Sequence, residues 1–578
     1  MDRDGAGRFF VDLAFALVGR HRGGPAKAAI MASGFTGMIS GSSIANTVTT
    51  GAFTIPMMKK MGFPATKAGA IEVAASTNGQ IMPPIMGAAA FIMAEFIGIS
   101  YYDVIVHAAL PALLSYIALF YIAHLEAAKM GLAGAPADQL GRAGAVLAAG
   151  WRFLVPIVLL IYLLLVARWS PGSAVFYSIL LLAAMMVADA VRARRAEGAG
   201  LAAGLYAGAE DVVAALISGA KSMAGVTAAV GAAGIIVGAV SSTGLNNAML
   251  GVIEALSQGN FYALLLLTAV VCIVLGMGLP TTANYIVVAS LMANVLVELG
   301  SASGVVAPLI AFHLFVFYYG LMADSTPPVC LAAFAASAIS KANPLSTGVQ
   351  AFLYDIRTAV LPLVFVFNPA MLFIGIESVA QGALVIAMCL IAILGFAAVT
   401  QGWLLTRMSW IERAALAVVV FALFRPDFFM NRIDPPFVET PLAEAAAPEA
   451  TLPADRTVRL HVTRYTEYGE RYRLYTLAPE EGAGGDVPAA ERLGVAFGPI
   501  EDGRAEITDV AFMGPAEKAG AFFGDEVTAV DIAAPAPMAK EWIYLPALLA
   551  LALILAGQRA KSARAGAATA AREAADVA

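Results

Sequence analysis

Charge is scarce in this 578-residue chain: Asp, Glu, Lys and Arg make up 13% of it, against about 25% in a soluble globular protein. Cysteine is scarcer still. Cys272, Cys330 and Cys389 all lie in apolar runs, which excludes a disulfide framework or a zinc site. The five histidines (His21, His107, His124, His313, His461) offer no i, i+4 pair, so the ligand spacing of an intramembrane metalloprotease is missing. No Lys or Arg occurs between Lys221 and Lys341, while Asp and Glu crowd residues 434–541.

Apolar residues fill the gap. They are 60% of the chain, and the mean hydropathy is +0.79. They cluster in runs such as Phe153–Ala167 and Leu363–Ile376. A bilayer core about 30 Å thick needs roughly 20 apolar residues per spanning helix. The chain therefore reads as an all-α polytopic membrane protein, not as a nucleic-acid binder, a disordered chain or a small disulfide scaffold.

Loop charges set the expected topology, because Lys and Arg near helix ends stay cytoplasmic. Residues 1–27 read as an amphipathic helix (Phe9–Val18) and a basic loop, without the pattern of a secretory signal. Segment 28–62 is basic at both ends, Arg20, Arg22 and Lys27 against Lys59, Lys60 and Lys67. It reads as a re-entrant hairpin with its tip in Gly41–Asn46. Segments 68–98, 104–127, 153–168, 173–191 and 222–243 then cross in turn. Segment 261–299, broken at Gly276–Asn284 and free of Lys and Arg, reads as a second hairpin entering from outside. Segments 305–340, 354–374 and 382–404 close a transporter domain over 28–404. A further membrane helix over 405–424, a β-rich periplasmic domain over 425–541, a closing helix over 542–557 and a basic cytoplasmic tail over 558–578 follow. Strand-like runs include Val458–Thr463 and Tyr472–Leu477.

The halves repeat. Asn46 and Asn284 mark the hairpin breaks. Thr77–Pro84 and Ala323–Pro328 each break a span with Pro-Pro. Tyr102-Asp103 with Leu110-Pro111 matches Tyr354-Asp355 with Leu361-Pro362. The offsets are 238, 244, 252 and 251 residues. Five spans between the hairpins invert the second copy, the arrangement of secondary transporters. Broken helices free carbonyls, hard oxygen ligands for Na⁺, and half-helix N-termini favour anionic groups. Ser42, Ser43, Thr281 and Thr282 add hydroxyl oxygens, and Asn46 and Asn284 add amides. Asp324, inside the second break, is the foremost intramembrane ionisable residue, or a helix N-cap. Glu72 reads as facing the interface, and Glu95 as paired near the outer surface. Asp355 and Arg357 read as anchors or a local pair near the inner surface. Isolated Ser33, Gly37, Gly69 and Gly238 read as packing residues.

The run Gly19–Lys27 followed by Ser40–Pro56 resembles the large membrane subunit of TRAP transporters, of the fused type that works with TAXI binding proteins. The likeness covers roughly residues 7–400. It implies an elevator-type, Na⁺-coupled importer, not an enzyme, in the bacterial inner membrane, with its C-terminus cytoplasmic. It implies a small organic acid delivered by a periplasmic TAXI-type binding protein. It places the substrate and ion region on Ser42, Ser43, Asn46, Gly79, Gln80, Pro83, Gly278, Thr281, Thr282, Asn284, Asp324 and Thr326, with Na⁺ held by Ser43, Asn46, Thr281 and Thr282 and by hairpin carbonyls. Family members carry a small four-helix domain and scaffold helices ahead of the first hairpin. Here barely 25 residues precede it, so the chain is expected to be an N-terminally truncated or split permease. Arg492–Phe497 and Gly514–Val530 resemble a PDZ domain, which binds chain termini by strand addition. The alternative is a non-transporting fragment, or a membrane scaffold carrying that peptide-binding domain. A channel fits less well, lacking charged rings or an open filter.

Overall fold

Helices stop in this chain where glycine and proline remove what a helix needs. In the computed structural model Gly41 takes a left-handed conformation (φ +62°) and ends helix Gly24–Ser40. Ser42 caps the next helix, Ser43–Lys60, its hydroxyl accepting from Ala45 N at 3.3 Å. The two helices pack together as a hairpin turning at Gly41–Ser42. A second packed pair, Phe261–Gly276 and Thr281–Ala302, turns through Met277, Gly278 and Leu279, and Gly278 is again at positive φ (+104°). The structure describes residues 6–136, 138, 140–243, 256–257, 260–279, 281–303, 305, 307–447, 449–466, 469–479, 485–535 and 537–577.

Both Pro-Pro elements interrupt helices. Helix Ala65–Gly79 resumes as Gly87–Ile97, and Leu309–Met322 resumes as Leu331–Ser340. Proline denies the ladder its N–H, and Met86 and Cys330, both at positive φ, start the resumed helices. Pro83–Pro84 and Pro327–Pro328 are both cis. Among the described residues eight helices are long and apolar enough to cross a membrane, or nine with one bent pair.

Several boundaries differ from the sequence reading. The segment expected at 222–243 is the end of one long helix, Leu201–Thr243, and the one expected at 153–168 starts at Ala143. Good helix formers surround these segments and no Pro or cap stops them. Helix Trp410–Phe424 bends by 82° into Pro426–Ile433. At the corner Arg425 stacks on Phe367 (4.1 Å) and pairs with Asp427 (3.0 Å). The last helix runs unbroken from Tyr544 to Val577, so the basic tail continues it. The N-terminal helix Ala6–Val18 does not lie free. It buries Phe9, Phe10, Val11 and Ala14 against its neighbours, including the first hairpin.

The β-rich unit follows. Strands β1 (Phe437–Pro441), β2 (Thr451–Pro453), β3 (Val458–Thr466), β4 (Gly469–Leu477), β5 (Asp486–Pro488), β6 (Val495–Phe497), β7 (Ala505–Val510) and β8 (Glu526–Ala533) are all paired antiparallel. The main sheet runs β4-β3-β8-β7-β6, with β1 also on β8. Alternate residues Val458, Leu460 and Val462 face a core with Leu477, Leu493, Ile507 and Val527. Arg492, the first residue of the PDZ-like stretch Arg492–Phe497, is buried. Its guanidinium donates to Pro453 O (3.3 Å), Arg456 O (2.9 Å) and Ala478 O (2.7 Å). It ties the ends of three strands together and is not free to meet a peptide.

Two groups of contacts fix the ends of the hairpins. The base of the first hairpin lies among basic residues: Lys59 donates to Ser340 O at 2.7 Å, and nearby Lys67 and Lys129 both engage Glu126. The base of the second hairpin meets the β-rich unit, where Arg473 on β4 pairs with Glu298 at 3.1 Å. The last helix returns to the start of helix Trp410–Phe424: Gln558 donates to Glu412 (2.7 Å) and Lys561 to Arg407 O (2.8 Å).

Candidate functional site

The hairpin turns and the helix breaks meet. Ser43, the first residue of its helix, is buried, and its hydroxyl donates to the Asp324 carboxylate 281 residues away. Asp324 is likewise buried, in the second Pro-Pro break. Gln80 opens the first break and joins three elements. With its amide assigned from the groups that face it, the nitrogen donates to Gly41 O and to Thr281 Oγ1, both at 3.0 Å, and the oxygen accepts from Ser43 N at 3.1 Å. One junction thus gathers a carboxylate, two hydroxyls, an amide and a hairpin carbonyl. Hard oxygen donors of this kind suit a small cation. Thr282 is buried one residue along from Thr281 at the start of the same helix.

The two asparagines sit in matching glycine seats. A Cβ on Gly37 would lie 2.8 Å from Gly79 Cα and 2.9 Å from Asn46 Nδ2. A Cβ on Gly276 would lie 2.4 Å from Asn284 Nδ2, and one on Gly320 2.8 Å from the same atom. Each asparagine is therefore wedged between its own hairpin and the span that precedes the adjoining break. Asn46 Nδ2 donates to Ser33 Oγ (2.7 Å) and Ser76 Oγ (3.2 Å), and its Oδ1 accepts from Thr36 (2.6 Å). Asn284 Nδ2 donates to Cys272 O at 3.3 Å, and its buried Oδ1 has no partner among the described residues. Adding a methyl to so close a seat costs about 1–3 kcal/mol. Gly79→Ala, which meets backbone, and Gly320→Ala are thus expected to lower the thermal unfolding midpoint of the purified chain. Gly144→Ala, with nothing within 4 Å, is expected to leave it unchanged or raise it.

The remaining expected residues are structural neighbours of the junction. Ser42 caps its helix, and Thr326 donates to Met322 O at 2.6 Å across the second break. Pro83 forms the first break, and Gly278 supplies the second turn. Asn78, beside Gly79, donates to Ser115 (2.9 Å) and accepts from Thr358 (3.1 Å), which lie on the two Leu-Pro helices. Asp355 and Arg357 form a pair at 3.2 Å, as one reading had it, but deep in the protein with both side chains fully buried. Sequence reasoning missed Ser33, assigned to packing, which holds Asn46. It also placed Glu72 at an interface, whereas the side chain is completely buried among hydroxyls. Periodicity could not show this, because helix Ala65–Gly79 is buried nearly all round from Ala68 onward.

Residues 1–380 match the profile of the tripartite ATP-independent periplasmic transporter, DctM component. The chain belongs to the DctM family. Residues 382–564, which hold the β-rich unit and the helices that flank it, match a domain of unknown function (DUF3394). Among curated relatives, an uncharacterized protein of Sinorhizobium fredii is 28% identical over 159 residues, 27% of this chain and 38% of its own length. One of Salmonella typhimurium is 34% identical over 127 residues, 22% of this chain and 29% of its own. A protein named as a TRAP transporter large permease in Haemophilus influenzae is 31% identical over 100 residues, 17% of this chain and 24% of its own. The chain thus spans well under half the length of these relatives. DctM proteins are transport components, not enzymes, and the long apolar helices fit a multi-pass membrane protein.

Proposed function

We propose that this chain is the permease part of a Na⁺-coupled TRAP-type importer of a small organic acid, working by elevator motion with a periplasmic TAXI-type binding protein. The observation that carries this reading is the junction of Ser43, Gln80, Thr281 and Asp324. Oxygen donors from both halves of the chain converge there on interrupted helices, the arrangement secondary transporters use for ions and anionic substrates. Ser43 and Thr281 are the first ion ligands in this reading, joined by Asp324 and the Gly41 carbonyl. Asn46 holds the hairpin seat rather than the ion.

The contacts at the hairpin bases support re-entrant, inverted hairpins. The first hairpin opens toward Lys59, Lys67 and Lys129, and the second toward the β-rich unit. Basic loops favour the cytoplasm, so the two hairpins enter from opposite sides, with the β-rich unit periplasmic. Its PDZ-like segments, the helix at Pro515–Ala519 and the short edge strand β6, suit strand addition of an extended peptide better than a role for Arg492. Orientation is tested with Glu491→Cys, an exposed position. The native cysteines are all buried. The cysteine is expected to react with an impermeant thiol reagent once the outer membrane is opened. Reaction only after inner-membrane lysis would place the unit inside.

Function is tested by uptake into proteoliposomes, with the small four-helix subunit and the binding protein supplied. An inward sodium gradient is expected to drive accumulation of an organic acid. Accumulation that ignores sodium and follows a pH gradient alone contradicts sodium coupling. No accumulation with every subunit present favours the scaffold reading.

A further inference from the structure

Helix Ala65–Gly79 carries a carboxylate that the junction does not use. Glu72 is 0% exposed. Its neighbours are hydroxyls: Thr50 donates to one oxygen, Thr54 to the other at 2.5 Å, and Ser76 lies 3.4 Å away. Gly51 makes room for it, since a Cβ there would sit 3.2 Å from Glu72 Cγ. Among the described residues no Lys, Arg or His forms an ion pair with it. The cations on the packed helices are engaged elsewhere or exposed: Lys27 with His124, Lys59 with Ser340 O, Lys67 with Glu126, Arg357 with Asp355, and Lys60 in the open. Helix Leu331–Ser340 has no titratable side chain. Tyr116, which donates to Ala75 O at 3.3 Å, is the titratable group that faces Glu72 from helix Tyr101–Lys129.

An uncompensated buried carboxylate costs several kcal/mol, so a positive charge has to share this place. We propose that Glu72 is a proton-binding site, loaded from water of the cavity beside the first hairpin turn. The neighbours favour a proton over a metal ion: they are hydroxyls, and a hydroxyl is both donor and acceptor, so both protonation states are satisfied. When Glu72 is charged, Thr50 and Thr54 donate to its two oxygens. When it takes a proton, its O–H donates to Thr50 Oγ1, and the Thr50 hydroxyl turns to Asn46 O, 2.8 Å away.

Solvent approaches Glu72 from a cavity of about 260 Å³ lined by Thr36, Ser40, Asn46 and Thr49. The Asn46 side chain separates it from the hydroxyls of Ser33 and Ser76, the latter 3.4 Å from Glu72, so displacement of that side chain admits the water. Cavity water supplies the proton and takes it back, so no other reactant is needed. The site is separate from the Ser43–Asp324 junction, and a failure of sodium coupling leaves it standing.

Infrared difference spectroscopy on the reconstituted full chain reads this without substrate or partner. The expected result is a protonated-carboxyl band in the wild type that is absent from Glu72→Gln and disappears reversibly as pH is raised. No difference between the two proteins at any pH overturns the proposal, as does a Glu72 band that never titrates. Loss of the band on adding sodium at fixed pH makes sodium the occupant and also overturns it. If Glu72→Gln fails to fold, Thr54→Val keeps the carboxyl and removes one hydroxyl. A shifted band then supports the site, and an unshifted one refutes it.

Discussion

Asp324→Ala is expected to raise the sodium concentration needed for half-maximal uptake by about 10- to 100-fold. A hydrogen bond to a charged group is worth roughly 1.5–3 kcal/mol, and each 1.4 kcal/mol is tenfold in affinity. Asp324 makes such a bond to Ser43, with both residues buried. Its loss also removes the only carboxylate among the junction residues named above. Ser43→Ala is expected to act in the same direction but less, because the carboxylate remains. The double variant is expected to be little worse than Asp324→Ala, since coupled partners are not additive. The measurement is sodium-dependent initial uptake in the completed system. Unchanged sodium activation in Asp324→Ala contradicts the role of the junction.

Arg357→Ala is expected to be the most destabilising single change, at about 3–5 kcal/mol. Arg357 is fully buried, pairs with Asp355 and donates from Nε to Ser115 O at 3.1 Å. It also bonds Tyr354 O. Removing it leaves Asp355 charged and buried without its partner. Replacing both members, as Asp355→Asn with Arg357→Met, is expected to recover most of the loss, because no lone charge is left. Thermal unfolding of the purified variants checks this. A double variant no better than Arg357→Ala shows that the guanidinium matters for its backbone bonds rather than for the pair.

Much of the architecture was legible because membrane spans write themselves in composition. Gly and Pro mark the breaks at Gly41, Pro83, Gly278 and Pro327, and each falls between helices in the structure. Asn46 and Asn284 stood out in the sequence by position, and in the structure each amide lies close against a glycine, Gly37 for Asn46 and Gly276 and Gly320 for Asn284. Helix ends read less well. Nothing in Leu201–Thr243 marks its start 21 residues before the expected segment, because Ala-rich sequence continues a helix without a signal. The site was legible as residues and not as contacts. That Gln80 bridges Gly41 and Thr281 is a tertiary fact across 201 residues, with no period to reveal it. Glu72 and Arg357 were misplaced for one reason: in a helix surrounded by protein, a buried charge and an interfacial one look the same in sequence.

Sodium-dependent stability of the full chain tests the central claim most directly, because it needs neither substrate nor partner. An ion that binds only the folded state stabilises it by RT ln(1 + [L]/Kd), about 2.7 kcal/mol at a hundredfold excess over Kd. The unfolding midpoint of the wild type is expected to rise with sodium at constant ionic strength set by potassium, while Asp324→Ala and Thr281→Ala show little or no rise. Equal midpoints in sodium and potassium for the wild type, or a sodium effect undiminished in both variants, contradict an ion site at the junction of the two hairpins.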